Sequence, residues 1–132
     1  MRRVVDASVT VAALVDSGSD GSWAAESLAE SALIAPHLMP VEVANVLRRA
    51  LRRGELDSAS AADAYQDLLT LPVALLAFGP FAERVWTLRS TLSAYDAWYV
   101  AMAEALNVEL LTLDERIRRA PGVRCDVLSP GH

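Results

Sequence analysis

Short apolar segments alternate with segments of helical length along the chain, and this alternation is the strongest constraint on the fold. We predict strands at five apolar segments, residues 3–5, 33–35, 73–78, 108–113 and 125–128. We predict helices at residues 8–15, 22–31, 41–53, 58–71, 81–92 and 94–106, with a short helix beginning at Asp114. Strands that alternate with helices are typical of a parallel sheet flanked by helices. The sequence therefore predicts one α/β domain over residues 1–132, a three-layer sandwich with a mostly parallel central sheet.

Turn-forming and aromatic residues refine this prediction. The run Ser17-Gly18-Ser19-Asp20-Gly21 is predicted as a turn between the first two helices. Three aromatic residues lie at positions that a helix can bury, and we assign them to the core: Trp86, Tyr95 and Trp98.

The composition restricts the kinds of site that the chain can build. Cys125 is the only cysteine, which rules out an internal disulfide and a cysteine-rich zinc site. The two histidines, His37 and His132, share no ligand-like spacing. A metal site must therefore use oxygen ligands, which favours Mg²⁺ or Mn²⁺ over zinc.

The apolar segments also bear on location. None approaches the roughly 20 residues that a membrane helix needs. Charged residues stand at Arg2, Arg3 and Asp6, where a signal peptide would need an unbroken apolar stretch. We therefore expect a cytoplasmic protein with no membrane association.

Four acidic residues stand where a parallel sheet would bring them together. Asp6 and Asp114 each follow a predicted strand, and Glu42 and Asp96 each lie in the first turn of a predicted helix. In such a fold all four positions lie at the carboxyl edge of the sheet, where ligand sites form. Two carboxylates 5 Å apart repel by about 3 kcal/mol at an effective dielectric near 20. A divalent cation would offset that repulsion, so the cluster predicts a Mg²⁺ or Mn²⁺ site that activates water for attack at phosphorus.

Each acid also has a structural explanation. Asp6 and Asp114 are good helix N-caps, and the charge of Glu42 suits the start of a helix. Asp96 completes a capping box with Ser93. Two hydroxyl residues near the acids, Ser8 and Thr112, are placed to orient a carboxylate or a bound water, with helix capping and strand propensity as alternatives.

The formal net charge of −5 argues against binding of nucleic acid. All basic residues are arginines, however, and several of them cluster in the third predicted helix. Its spacing puts Glu42, Asn45, Arg49 and Arg52 on one helical face. We interpret Arg49 and Arg52 as a track for phosphates that leads away from the acids. The alternative is a solvated polar face.

Four segments resemble, in order, the sequence blocks of PIN domains. They are Val4-Val5-Asp6-Ala7-Ser8-Val9, Pro40-Val41-Glu42-Val43-Ala44-Asn45-Val46-Leu47, residues 92–101 around Asp96, and Leu110-Leu111-Thr112-Leu113-Asp114. Within PIN domains the sequence is most similar to VapC toxins, the ribonucleases of bacterial VapBC toxin–antitoxin pairs. The resemblance covers the chain nearly end to end.

The resemblance implies a Mg²⁺- or Mn²⁺-dependent endoribonuclease that cuts structured RNA such as tRNA or rRNA. It also implies a homodimer that a VapB-type antitoxin holds inactive. Carried over by position, Asp6 and Asp96 would be the principal metal ligands, Glu42 a ligand or proton acceptor, and Asp114 the residue that completes the shell. Thr112 matches the family's hydroxyl position. Hydrolysis would leave a 5′-phosphate and a 3′-hydroxyl.

Other readings of the acids differ in what they require. Phosphatases of the haloacid-dehalogenase type need a second Asp where this chain has Ser8, and both they and receiver domains need a lysine that the chain lacks. Two alternatives stay open: a catalytically silent PIN-fold binding module, and a nuclease for single-stranded DNA with the same acidic site.

Overall fold

A sheet of five parallel strands forms the centre of the computed structural model, which describes residues 1–131. The strands are β1 (Arg2–Val5), β2 (Ala32–Pro36), β3 (Val73–Leu76), β4 (Glu109–Leu111) and β5 (Val127–Leu128). Their order across the sheet is β3-β2-β1-β4-β5, and each neighbouring pair is parallel. The predicted α/β fold with a parallel sheet is confirmed.

Helices fill the connections between the strands. They are α1 (Ala7–Val15), α2 (Ser19–Ala29), α3 (Met39–Arg52), α4 (Ser58–Thr70), α5 (Ala82–Thr87), α6 (Ala94–Leu106) and α7 (Glu115–Arg119), with a 3₁₀ turn at Gly79–Phe81 before α5. Connections between parallel strands are right-handed, so the steps from β1 to β2 to β3 place α1–α4 on one face. The return from β3 to β4 places α5 and α6 on the other. Contacts agree, since α1 packs on α2, α3 and α4, whereas α5 packs on α6.

The two central strands carry the most buried part of the core. Val4 and Val5 in β1 and Leu110 and Leu111 in β4 are completely buried. Helix α6 lies across this centre and contacts β1, β2 and β4. The strands that follow β1 are added on one side of it as far as β3, and β4 is then added on the other side. The loops that leave β1 and β4 therefore run in opposite directions and open a crevice at the carboxyl ends of these strands.

The turn predicted over residues 17–21 extends too far, because its last three residues belong to α2. Helix α2 already begins at Ser19, and Gly21 lies inside it. A Cβ at position 21 would stand 1.8 Å from the carbonyl oxygen of Asp16. The glycine is therefore required by a close approach of two backbone segments, not by a turn.

The helix predicted over residues 81–92 is also shorter than expected. Helix α5 ends at Thr87, and the backbone continues in turns to the start of α6. Within these turns, the Thr91 hydroxyl donates to the carbonyl oxygen of Pro121 at 3.1 Å. That contact ties the turn to the loop after α7.

The aromatic residues divide between core and surface. Trp98 is buried, as predicted, and its ring meets that of Phe78 edge to face. The predicted burial of Trp86 and Tyr95 is wrong, since they are 68% and 57% exposed. The Arg89 guanidinium covers one face of Trp86, 4.6 Å from the ring centroid.

Over residues 1–131, every helix is too short or too polar to cross a membrane.

Candidate active site

Asp6 stands at the junction between β1 and α1, at the carboxyl edge of the sheet. Its backbone N–H donates to the Leu111 carbonyl at 3.0 Å, which holds it beside the end of β4. Although Asp6 occupies the N-cap position of α1, its side chain makes no capping hydrogen bond. The capping explanation is therefore wrong for Asp6, and its carboxylate is available for another purpose.

Two hydroxyl groups orient the Asp6 carboxylate. Ser8 and Thr112 both donate to Oδ2 of Asp6, at 2.7 and 2.8 Å. The hydroxyl oxygens in turn accept backbone N–H groups, from Leu113 at 3.1 Å and from Asp114 at 3.0 Å. Since each hydroxyl oxygen is occupied by an N–H donor, its own proton is directed at Asp6. This network joins the β1–α1 and β4–α7 junctions.

Burial leaves the Asp6 carboxylate without ionic compensation. The residue is 7% exposed, and within residues 1–131 no cationic side chain forms an ion pair with it. Burial raises the pKa of Asp6, the bonds from Ser8 and Thr112 lower it, and the charge of Asp96 raises it further, with a net increase. Because a buried negative charge is costly without a partner, a bound cation would stabilise the ionised form of Asp6.

Glu42 reaches the same edge from the first turn of α3. The Tyr99 hydroxyl, on α6, donates to Oε1 of Glu42 at 2.8 Å. Burial raises the pKa of Glu42, the Tyr99 hydrogen bond lowers it, and the charges of Asp6 and Asp96 raise it. The three carboxylates are therefore close enough to repel one another.

Tyr99 belongs to the candidate site, although the sequence alone did not point to it. It is almost completely buried, and burial raises the pKa of its phenol, so the hydroxyl stays protonated and donates. One signal was available in the sequence: Tyr99 follows Asp96 by three residues and so shares its helical face.

Asp96 lies in the first turn of α6, where the Ser93 hydroxyl accepts its backbone N–H at 3.2 Å. Burial raises the pKa of the Asp96 carboxyl, and so does the charge of Asp114, against lowering effects of Ser93 and Arg116. Ser93 is thus the predicted helix cap, and Asp96 remains part of the acidic group.

Asp114 differs from the other three acids. It caps α7 by accepting the backbone N–H of Arg116 at 2.9 Å, as the capping explanation predicted. The Arg116 side chain also donates to both carboxylate oxygens of Asp114, from Nε to Oδ1 at 3.0 Å and from Nη2 to Oδ2 at 2.7 Å. The hydrogen bonds from Arg116 hold the pKa of Asp114 below its ordinary value.

The acids have the ligand chemistry that a divalent cation prefers, but their side chains are not arranged around one common ion position. Within residues 1–131, no three His, Cys, Asp or Glu side chains are arranged, as they stand, to share one ion. Asp6, Glu42 and Asp96 nevertheless supply only oxygen donors, and each has a raised pKa. Oxygen donors with uncompensated negative charge fit Mg²⁺ or Mn²⁺. A cation would offset their repulsion, so small side-chain rotations toward it are favourable.

Four arginines at the end of α3 line a surface cavity that is separate from the acidic group. A cavity of about 340 Å³ is lined by Arg48, Arg49, Arg52 and Arg53. All four side chains are exposed, and Nε of Arg48 donates to Asn45 at 3.0 Å. The result is a concentrated positive surface on a chain of net negative charge.

The chain is similar in sequence and in fold to proteins of a known family. The family model described as "PIN domain" matches residues 3–123. Ribonuclease VapC9 of Mycobacterium tuberculosis is 40% identical over 124 residues, which cover 94% of each chain. Among solved structures, M. tuberculosis VapC20, titled a sarcin-ricin-loop-cleaving toxin, aligns with a TM-score of 0.69 and 15% identity over 97% of this chain and 99% of its own.

A second solved structure is VapBC2 from Rickettsia felis, bound to a DNA fragment from its promoter. It aligns with a TM-score of 0.65 and 12% identity, over 96% of this chain and 98% of that one. Both structural matches support the fold, and the family match and the VapC9 identity support membership. The chain therefore belongs to the PIN-domain family, and within it to the VapC group.

Proposed function

We propose that this protein is a metal-dependent endoribonuclease, the toxin of a type II toxin–antitoxin pair. The observation that carries the proposal is a group of three carboxylates with raised pKa values, Asp6, Glu42 and Asp96, at the carboxyl edge of the sheet. Within residues 1–131, none of the three forms an ion pair. Relatives of the chain bear the name ribonuclease VapC. An RNA substrate such as tRNA or rRNA fits a cytoplasmic setting.

Asp6, Asp96 and Glu42 would hold Mg²⁺ or Mn²⁺, Glu42 directly or through water. The ion, when bound, would lower the pKa of a water molecule and stabilise negative charge at phosphorus. Ser8 and Thr112 fix the orientation of Asp6 before any ligand arrives. Asp114 as a fourth ligand remains a prediction, and it requires Arg116 to release at least one carboxylate oxygen.

Glu42 is suited to accept the proton of the attacking water. Tyr99 occupies Oε1, so the proton would go to the other oxygen. Burial raises the pKa of Glu42 toward the range in which a carboxylate is an effective base. Attack by water and departure of the 3′-oxygen would leave a 5′-phosphate and a 3′-hydroxyl.

Cleavage of RNA tests the proposal. Purified protein would be incubated with a labelled total-RNA pool and with single-stranded DNA, each in Mn²⁺ and in EDTA. We expect cut RNA in Mn²⁺ and intact RNA in EDTA. Cleavage of DNA alone would contradict the ribonuclease, and intact nucleic acid in every arm would leave the binding module as the better account.

We predict that Tyr99→Phe shifts the acidic limb of the pH–rate profile upward. The hydrogen bond from Tyr99 lowers the pKa of Glu42, so its loss raises that pKa. Glu42 must be deprotonated to act as a base. Losing a hydrogen bond to a charged carboxylate raises the pKa of that carboxyl by about one unit. The limb should therefore move up by about one pH unit, with about a tenfold loss of rate on the acidic side.

The matched control is Tyr65→Phe, which removes the hydroxyl group of a tyrosine on α4 that is 44% exposed. Its profile should overlay that of the unmodified protein. An unchanged acidic limb in the Tyr99 variant would show that Glu42 is not the base.

We propose that Arg49 and Arg52 bind RNA phosphates. Each contact with a single strand contributes about 0.7 to the slope of log K against log salt. The double variant Arg49→Ala/Arg52→Ala should therefore weaken binding of labelled RNA and flatten that slope by about 1.4. Arg124→Ala is the control, because Arg124 lies near Met1 and Val108, at the amino-terminal ends of β1 and β4. An unaltered slope in the double variant would favour a solvated face.

A VapB-type antitoxin is the proposed partner, supported by the fold shared with the VapBC2 complex. Exposed apolar side chains on the α3–α4 side offer a surface for contact, among them Leu51, Tyr65 and Leu69. The homodimer stays a prediction, which light scattering of the purified protein would check.

A further inference from the structure

Arg116 and Asp114 form the most complete ion pair at the sheet edge. The contacts are 2.7 Å between Nη2 and Oδ2 and 3.0 Å between Nε and Oδ1, and the Arg116 backbone N–H adds a third at 2.9 Å. A paired fork of this kind fixes the plane and position of the guanidinium. Arg116 is therefore held in place, although its side chain is 86% exposed.

The pair divides the four acids into two classes. An ionised carboxylate offers about four acceptor sites, and Arg116 fills three of those of Asp114. Asp114 is thus nearly saturated and neutralised within its own segment. Among residues 1–131, Asp6, Glu42 and Asp96 form no such ion pair. The pKa of each of these three is raised, whereas that of Asp114 is lowered.

Arg116 keeps donors for a ligand while it holds Asp114. A guanidinium has five N–H donors, of which Asp114 engages Nε and one on Nη2. The remaining donors belong to an exposed group. The Asp114 backbone N–H donates to the same Thr112 hydroxyl that donates to Asp6. Arg116, which holds Asp114, therefore lies at the rim of the acidic cluster, and its charge lowers the pKa of Asp96.

A polyanion that approaches the three carboxylates meets strong repulsion. A fixed guanidinium at the rim would offset it, because arginine binds phosphate oxygens with the same fork that it offers to carboxylates. The α3 arginines begin six residues beyond Glu42, about 9 Å along the helix axis, so they serve more distant phosphates.

We propose that Arg116 binds an RNA phosphate at the edge of the active site, and that Asp114 is the positioning residue that holds it there. The inference rests on the proposed ribonuclease function. In this proposal Asp114 positions Arg116 instead of ligating a metal, and the guanidinium of Arg116 supplies a positive charge beside the acidic group.

Two measurements on the same variants test the proposal. Calorimetric titration with Mn²⁺ reports the ion site, and KM and kcat for the RNA that the unmodified protein cuts report the substrate contact. Asp114→Asn keeps a good N-cap at α7 and so should remain folded. Arg119→Ala removes an exposed arginine from the same helix and is the control.

We expect Arg116→Ala and Asp114→Asn each to raise KM about tenfold and to leave Mn²⁺ affinity within about threefold. The double variant should be no worse than Arg116→Ala, because both changes remove one contact. Arg116→Lys should not restore KM, since an ammonium cannot form the fork. Asp6→Asn should lose Mn²⁺ binding.

Loss of Mn²⁺ binding in Asp114→Asn would overturn the proposal and make Asp114 a metal ligand. An unchanged KM in Arg116→Ala would overturn the phosphate contact. Absence of RNA cleavage by the unmodified protein would instead count against the proposed function. The Mn²⁺ titration would then still decide whether Asp114 is a ligand.

Discussion

Replacing Asp6 by Asn should abolish RNA cleavage and leave the metal-free protein at least as stable as before. The substitution removes a buried negative charge that Asp96 repels, while the amide oxygen can still accept from Ser8 and Thr112. Loss of a principal ligand should lower the cleavage rate by at least about a thousandfold, or about 4 kcal/mol in the barrier. The free energy of unfolding in EDTA should stay the same or rise.

The same variant should lose its stabilisation by Mn²⁺. An ion that binds only the folded state at a hundred times its Kd stabilises it by about 2.7 kcal/mol. Urea unfolding with Mn²⁺ and with EDTA measures this difference. Asp63→Asn, an exposed acid on α4, is the control and should keep the full effect. If Asp6→Asn were stabilised by Mn²⁺ as much as the unmodified protein, Asp6 would not be a ligand.

Replacing Thr112 by Val should destabilise the protein although the two side chains have the same shape. Thr112 is 1% exposed, and its hydroxyl joins the Asp6 carboxylate to the Asp114 N–H. Valine leaves that N–H unpaired and places a methyl group against a buried carboxylate. The cost of one unpaired buried group is about 1–3 kcal/mol, and we expect a loss in that range in EDTA.

Two variants separate the hydroxyl from packing. Thr112→Ser keeps the hydroxyl and loses one methyl group, so it should cost about 1 kcal/mol. Thr10→Val makes the same isosteric change at another fully buried threonine, whose hydroxyl has only a long 3.5 Å contact with the Asp6 carbonyl. Equal losses for Thr112→Val and Thr10→Val would contradict the network around Asp6.

Much of the fold could be predicted because it depends on local patterns. The strands that end at Val5 and Leu111 are short apolar runs between turn-forming residues, and α6 begins where Ser93 can cap it. Once these strands are parallel and adjacent, residues after them share an edge. The convergence of Asp6 and the other acids follows from topology and required no knowledge of side-chain contacts.

The parts that could not be predicted depend on contacts between distant segments. Gly21 reads as a turn residue, and only the approach of the Asp16 carbonyl shows why a helix needs glycine there. The Tyr99 phenol and Glu42 lie 57 residues apart, so their hydrogen bond has no local signature. The burial of Trp86 was predicted from helical spacing, which does not show whether a neighbouring element covers that face.

The pairing of Asp114 with Arg116 shows a different limit. Both residues lie on one short segment, and the capping alternative was stated for Asp114 from the sequence. The resemblance implies that Asp114 completes the metal shell, and that role stays a prediction. The hydrogen bonds of Arg116 show that equal residue type need not mean equal chemistry.

The ends of the RNA fragments provide the most direct test of the central claim, that uncompensated carboxylates and a divalent ion hydrolyse RNA with water. Fragments made in Mn²⁺ would be mapped by ligation and by phosphatase sensitivity. We predict 5′-phosphate and 3′-hydroxyl ends, with no fragments in EDTA. Ends with 5′-hydroxyl and 2′,3′-cyclic phosphate, or cleavage that persists in EDTA, would contradict the account, because the 2′-hydroxyl and not water would then be the nucleophile.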